Sequence, residues 1–486
     1  MSTEIKDLEP GYLFGHFASL LRIPRESKNE AAAREFVLAW AGEKGFKTGT
    51  DDVGNVVVYV PATPGNESAP ITVLQSHLDM VCEKAPDSDH DFEADPIPAY
   101  VDGDLVRSKG TTLGADNGIG LAAAMAAAED PDCEHGPLEL FFTIDEETGL
   151  TGAFEYDPSL LKGRLLLNLD SEDEGTLYVG CAGGGDTTIT LATPSTDVPS
   201  GWTPVLVKVG GLKGGHSGLD IGTGRGNAIK LLARALHAGA ASGDFMIGCI
   251  GGGSKRNAIP RDSSACVFVP SDQTGRFTEN VAAFTDIARL ELGNADPGLT
   301  IETSNDPCEC KPMTGQASRA LLRLLLVIPH GATAMSQDIP GLVETSTNLA
   351  VVKREDDETS VLCNTRSSVD SALEALRLAI ASAGELAGGK VKLDGKYPGW
   401  RPNLDSPLLA RCTAAWKEMS GNEPQVAAIH AGLECGVISE KAPGMDAISF
   451  GPTIRGAHSP DESVSIGSTG RFYDFLKLVL KGIAHG

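Results

Sequence analysis

Basic residues are scarce in this chain. Lys and Arg number 40 against 66 Asp and Glu in 486 residues, a formal net charge of −26. Such a balance repels phosphate backbones and anionic lipid, so neither nucleic acid nor a membrane is an expected partner. No uninterrupted apolar run reaches the length of a bilayer span. The opening stretch MSTEIKDLEPGYLFGHFASL has acids where a secretory leader needs a basic and then an apolar region. The 10 cysteines are scattered with no CxxC pair. The closest spacing is CEC at 308–310, and two thiols alone cannot build a tetrahedral zinc site. The expectation is a cytoplasmic protein with reduced thiols.

What is present is an ordinary supply of core. Apolar residues make up 41% and charged residues 22%, and the length suits two or three domains. SKNEAAAREFVLAWAGEKGF has Ser27 and Glu30 in capping-box spacing and predicts an amphipathic helix. NVVVYV and PITVLQSHLDM predict strands, and GADNGIGLAAAMAAAED a glycine turn followed by a buried, alanine-rich helix. LELFFTIDEETGLTGA reads as strand, acidic turn and helix start, and GRLLLNLDSED as a strand ending in acids. This alternation predicts an α/β domain with a buried sheet. From about residue 184 the strands alternate with period 2, as in DTTITLATPS and TPVLVKVGG, which predicts an α+β region with antiparallel strands. After KVKLDGKYPGW the α/β texture returns. The expected architecture is an α/β domain made of 1–183 and 396–486, interrupted by an inserted α+β domain over 184–395.

Five segments end a strand or open a loop with a metal-competent side chain. They carry His77 and Asp79, Asp116, Glu146 and Glu147, Asp170, and His458. Residues i and i+2 of a strand share a face, so His77 and Asp79 stand side by side. In open α/β sheets sites form beyond the carboxyl ends of strands, where converging acids repel unless a cation sits among them. Two imidazoles with several carboxylates suit Zn²⁺, Mn²⁺ or Co²⁺ and not an oxygen-only Ca²⁺ cage. Taken singly, each has a plainer reading: a satisfied core histidine, a solvated DEE turn, and Asp116 as a helix cap. The GADNGIG glycines do not make a phosphate loop, since no GK[ST] follows.

SHLDMV, GTTLGADNGIG, DEETGLTGA, NLDSED, GGHSG and GAHSPDE occur in the order found in the dinuclear metallopeptidases of the M20 family. With GGGSKRNAIPR, CNTRSS and IHAGLECG, the chain most resembles the aminoacyl-histidine dipeptidase branch, which includes the cytosol non-specific dipeptidases. The resemblance covers nearly the whole chain. It implies a zinc-peptidase-like catalytic domain with a mixed central sheet flanked by helices and an inserted lid. It also implies two divalent ions, Zn²⁺ first and Mn²⁺ or Co²⁺ as options. Asp116 would bridge them, His77 and Asp170 would hold one, and Glu147 and His458 the other. Glu146 would be the general base toward a metal-bridged water, and Asp79 would orient the His77 ring. His216 in the lid would stabilise the oxyanion; its plainer reading is a loop histidine bonded to its own turn. Asn257 and Arg366 would grip the substrate's carboxylate and backbone, with Gly432 and Glu434 lining the pocket from the α/β domain and His430 packing nearby. A homodimer is implied, since family members often dimerise.

The expected activity is hydrolysis of short unblocked dipeptides, Xaa-His and β-alanyl-histidine included. A tripeptidase or an N-acyl amino acid deacylase would share the metal site and differ in the lid. A non-catalytic metal-binding member of the fold would have lost the base or a ligand, and both stand in the sequence.

Overall fold

The computed structural model describes residues 4–241, 243–306 and 308–486. The first three residues of the acidic N-terminal stretch lie outside them. The chain divides into two units. Met1–Gly180, Pro402–Ala428 and Leu433–Gly486 make the first, and Cys181–Arg401 with Ile429–Gly432 the second. His430 and Gly432, expected in the returning α/β segment, therefore belong to the second unit, while Glu434 belongs to the first.

The first unit is built on a mixed sheet with strand order Lys47–Thr50, Val56–Val60, Leu138–Thr143, Thr72–His77, Leu165–Asn168, Asp446–Ser449, Thr176–Cys181 and Gln425–Ile429. Every residue of Thr72–His77 and Leu138–Thr143 is buried, the polar Gln75, Ser76 and Glu139 included, so neither strand alternates apolar and exposed positions. Leu138–Thr143, Thr72–His77, Leu165–Asn168 and Asp446–Ser449 run parallel, so four carboxyl ends open at one edge. The helix Ala115–Ala127 is buried on all sides from Asn117 onward. Alanine side chains let it lie close to its neighbours at little cost in rotamer entropy. A last helix, Ile466–His485, is capped by Ser465.

One local expectation fails for an informative reason. The Ser27/Glu30 capping box does not form, and the helix begins at Ala31 with no side-chain cap. Ser27 Oγ instead donates to Asp79 Oδ2 at 2.7 Å. Glu30 Oε1 accepts the N–H of Lys28 at 2.7 Å and of Asp145 at 3.0 Å. Both side chains serve loops at the carboxyl edge of the sheet, where an unmatched buried group costs more than an open helix end.

The second unit is an antiparallel sheet with strand order Thr300–Ser304, Trp202–Gly210, Ser263–Pro270, Met246–Gly252, Val343–Glu355, Glu358–Ser367, Gly183–Ala192 and Lys390–Tyr397. Helices Ala228–Ala240, Thr274–Leu292, Gly315–Val327 and Asp370–Leu386 accompany it, and residues of all four join the strands in one apolar core. Cys266 and Cys308 form a disulfide. The expectation of reduced thiols throughout fails for this pair, because only the folded sheet brings two residues 42 positions apart together.

Candidate active site

His77 closes the strand Thr72–His77 and is 1% exposed. Its Nε2 lies 3.2 Å from Asp116 Oδ1 and 3.3 Å from Asp170 Oδ1. His458 Nε2 lies 3.2 Å from Asp116 Oδ2 and 3.0 Å from Glu147 Oε2. The two oxygens of Asp116 thus face two different imidazoles. The fold brings together two triads, His77–Asp116–Asp170 and Asp116–Glu147–His458, each with ligand atoms within 4.8 Å of one another. Glu146 joins His77 and Glu147 in a third such group.

Asp116 is not a helix cap. Its backbone is extended (φ −81°, ψ 111°) and its peptide bond to Asn117 is cis. Glu462 holds this loop from one side. Its Oε2 accepts the N–H groups of Leu113 (2.6 Å) and Gly114 (2.9 Å), and its Oε1 those of Ala115 (2.8 Å) and Asp116 (3.2 Å). Arg25, 2% exposed, holds it from another, donating to the carbonyls of Gly114, Leu78 and Asp79. Gly114 is left-handed (φ +72°), and a Cβ there would stand 2.5 Å from the Arg25 guanidinium. Asn117 Nδ2 bonds Leu169 O at 3.0 Å and also Asp170 Oδ1, tying one triad member to the loop of another.

Asp79 sits behind His77, not beside it in the triad. Its Oδ1 lies 3.2 Å from His77 Nδ1 and accepts the N–H of Glu146 at 3.1 Å. Its Oδ2 accepts the N–H of Glu147 at 3.2 Å and the Ser27 hydroxyl. Glu146 and Glu147 open a single helical turn, Glu146–Gly149, where an irregular turn was expected. Successive side chains there still diverge, by about 100°. The turn is entered through left-handed Asp145 (φ +50°), whose carboxylate accepts the hydroxyls of Thr148 and Thr151.

The charges explain the geometry. Burial opposes protonation of His77, but Asp170, Asp116 and Asp79 together hold it well above its ordinary value. His458 is raised to about 11 by its hydrogen bonds to Asp116 and Glu147. Burial raises Asp170 to about 6, although His77 pulls it down. Burial also lifts Glu146 well above its usual range, with Asp170, Glu147 and Glu434 adding to the rise against His77. Glu172, which sequence reasoning missed, is pushed to about 7 by burial and Asp116. The two imidazoles thus lie between carboxylates, where a cation would also be drawn. Glu147 Oε1 and Asn117 Oδ1 are buried without a hydrogen-bond partner among the described residues. The donor set fits divalent metal ions bound by nitrogen and oxygen.

In the second unit, His216 lies on the short strand Gly215–His216, paired with Ala258–Ile259. Its Nδ1 accepts the N–H groups of Gly218 (3.2 Å) and Leu219 (3.1 Å), which leaves the ring proton on Nε2. Burial and nearby Arg366 lower its pKa, keeping the ring neutral. Arg366 is 6% exposed and donates to Tyr397 Oη at 3.0 Å and Ser217 Oγ at 3.4 Å. No carboxylate among the described residues pairs with it in an ion pair. Asn257 is exposed, and its carbonyl accepts the N–H of Ser217 at 2.8 Å. Gly432 lies against the Tyr397 ring, and His430 Nε2 is 2.7 Å from Ser346 Oγ. Glu434 is not among these groups. It is fully buried in the first unit, accepting from Gln75 Nε2 (2.5 Å) and Thr143 Oγ1 (2.8 Å) beneath the strand ends. It lies in the α/β unit, as expected, with His77 and Asp170 as electrostatic neighbours.

The fold and this donor set define a peptidase, and residues 73–481 match Peptidase family M20/M25/M40. The chain belongs to that family. It is 40% identical, over 99% of both chains, to the cytosol non-specific dipeptidase of Escherichia coli (strain K12). Its structure superposes on the aminoacylhistidine dipeptidase of Vibrio alginolyticus with a TM-score of 0.92 and 41% identity, covering 99% of this chain and 98% of that one. Aminopeptidase PepT of Bacillus cereus, at 16% identity and a TM-score of 0.58 over 98% of this chain and 99% of that one, shares the fold.

Arg25 left no signal in the sequence, and Glu30 gave only a capping spacing that pointed elsewhere. Glu462 stood in the quoted GAHSPDE motif, but its partners lie some 346 positions away.

Two outcomes are expected. His77 and His458 carry protons at neutral pH that a cation must displace, so metal affinity should rise from about pH 6 to 8, by up to about a hundredfold per unit for two protons. Chelator competition at three pH values measures this, and a flat profile contradicts it. His77→Ala should lose a metal ion, whereas Asp79→Ala should keep most of the metal and lose most activity. Equal metal loss by elemental analysis would put Asp79 among the ligands.

Proposed function

We propose that the chain is a metal-dependent dipeptidase cleaving short unblocked dipeptides, Xaa-His among them. The carrying observation is the division of Asp116, one oxygen toward the His77–Asp170 pair and the other toward Glu147–His458. Such a carboxylate is suited to bridging two ions. His77 and Asp170 would hold one, and Glu147 and His458 the other, with Zn²⁺ the first choice and Mn²⁺ or Co²⁺ also fitting the donors. Bound there, divalent ions supply Lewis-acid polarisation of a peptide carbonyl and a water acidified toward neutrality.

The chain's own residues do the rest. Glu146 makes no side-chain ion pair among the described residues, and its raised pKa suits a base that takes a proton and returns it to the leaving amine. Asp79 fixes the His77 ring through Nδ1 and sets the backbone of Glu146 and Glu147, acting by position. His216, with its proton on Nε2, is equipped to donate to a developing oxyanion. Arg366 offers a buried guanidinium to a terminal carboxylate, with Asn257 and Gly432 near it. The likeness to two dipeptidases over nearly the whole chain favours a dipeptidase over a tripeptidase or an acyl amino acid deacylase.

Cytoplasmic residence and a homodimer belong to the same reading. Among the described residues no helix is long and apolar enough to cross a membrane, and the Escherichia coli relative is named a cytosol enzyme. Helices Gly315–Val327 and Asp370–Leu386 expose Val327, Leu378 and Leu386, the last at 90%, an apolar surface a second copy would cover.

Glu146→Gln should keep both metal ions and lose about 10²- to 10⁴-fold in turnover. Metal analysis and rates on β-alanyl-histidine, an α-dipeptide, a tripeptide and an N-acetyl amino acid test it. A metal-loaded wild type that cleaves none of these defeats the enzyme reading. Light scattering should give twice the chain mass, falling to one chain mass in Leu386→Glu.

A further inference from the structure

Four cysteines meet in the second unit. Strands Met246–Gly252 and Ser263–Pro270 pair antiparallel with a register shift between Ile247 and Ile250, so Gly248 and Cys249 bulge opposite Cys266. A bulge re-aims the side chains around it. Ala265, Val267 and Val269 enter the apolar core, which turns Cys266 to the opposite face of the sheet. The segment after residue 307 crosses near that place: Met313 N–H bonds Ile247 O, and Thr196 N–H bonds Pro312 O, each at 2.8 Å.

This crossing brings CEC to the strand pair. Cys308 is bonded to Cys266, and its sulfur lies 2.9 Å from that of Cys310. The sulfurs of Cys249, Cys308 and Cys310 all lie within 4.8 Å of one another. Gly248 leaves them room, since a Cβ there would stand 2.8 Å from Cys310 Sγ. Arg354 pins both sides, donating to Gly248 O, to Lys311 O at 2.8 Å and to Ser195 Oγ at 2.9 Å. Burial and Cys249 push the Cys310 thiol up to about 11, with Arg354 pulling the other way.

A disulfide needs two sulfurs, and a second pair gains nothing structural by converging on it. Four sulfurs from two adjacent strands and one CxC loop match a tetrahedral thiolate shell. With a zinc–sulfur distance of about 2.3 Å, its sulfur–sulfur edges would be about 3.8 Å, inside the 4.8 Å that bounds the Cys249, Cys308 and Cys310 sulfurs. We propose that Cys249, Cys266, Cys308 and Cys310 form a second, all-sulfur site for one Zn²⁺ once the Cys266–Cys308 bond is reduced. A dithiol reductant delivers two electrons and two protons to that bond and becomes a disulfide itself. Zn²⁺ then replaces four protons, one from each thiol, and the Arg354 guanidinium offsets part of the resulting −2 charge. Reduction opens the site and oxidation closes it, so the 308–313 segment is tied to the sheet in either state.

The test is a Co²⁺ titration of the full chain, dithiol-reduced and then held anaerobic in metal-free buffer. Thiolate ligation gives strong sulfur-to-cobalt charge-transfer absorption in the near ultraviolet, which imidazole and carboxylate ligands do not. Freed of excess dithiol, the reduced wild type should develop this band within three equivalents of Co²⁺, two of which the imidazole–carboxylate site of the first unit can take without it, and lose it on adding Zn²⁺. The oxidised wild type and the Cys249→Ser/Cys310→Ser double variant should lack it, the variant keeping wild-type circular dichroism. No band in the reduced wild type, or an equal band in the oxidised wild type, overturns the proposal without reliance on any variant. An undiminished band in a folded double variant overturns it as well.

Discussion

Negative charge crowded at one edge of a parallel sheet is the condition everything else answers to. Asp79, Asp116, Glu146, Glu147, Asp170 and Glu434 gather where four parallel strands end, and most of them are buried or nearly so. Like charges at such spacing are tolerable only with protons, imidazolium groups or cations among them. The placement of His77 and His458, each between carboxylates, meets that condition and defines where metal ions fit.

A second use of carboxylates runs beneath the first. Glu462, Asp79, Glu30 and Asp145 accept backbone N–H or hydroxyl groups and so shape the loops, Asp79 also facing the His77 ring from behind. Burial raises Glu462, yet the N–H groups of the 113–116 loop favour its charged form. The acidic composition is thus partly architectural. Arg25 balances it from within, with a guanidinium on three carbonyls of the same loops.

Much of this was legible in the sequence, and unevenly so. Apolar-rich segments without period-2 alternation, ending in His77, Thr143 and Asn168, announced buried parallel strands, and side chains at or just beyond their ends announced a site. The antiparallel insertion showed in its period-2 strands. What failed were inferences that relied on neighbours in sequence. Ser27 and Glu30 have capping spacing but are drawn to Asp79 and Asp145, and His430 and Gly432, expected in the returning α/β segment, lie in the second unit. Glu462 and the cysteine group were invisible because their partners lie far away along the chain, where only folding decides proximity.

Asp79 carries a consequence beyond catalysis. One carboxylate joins the ring of His77 to the backbone of both Glu146 and Glu147, so the ends of two neighbouring strands move as a single linkage. A shift in either strand end would carry His77, Glu146 and Glu147 together, keeping their spacing fixed while the sheet flexes. The same carboxylate also accepts the Ser27 hydroxyl, so the loop before the helix Ala31–Lys44 is tied into this corner of the sheet as well.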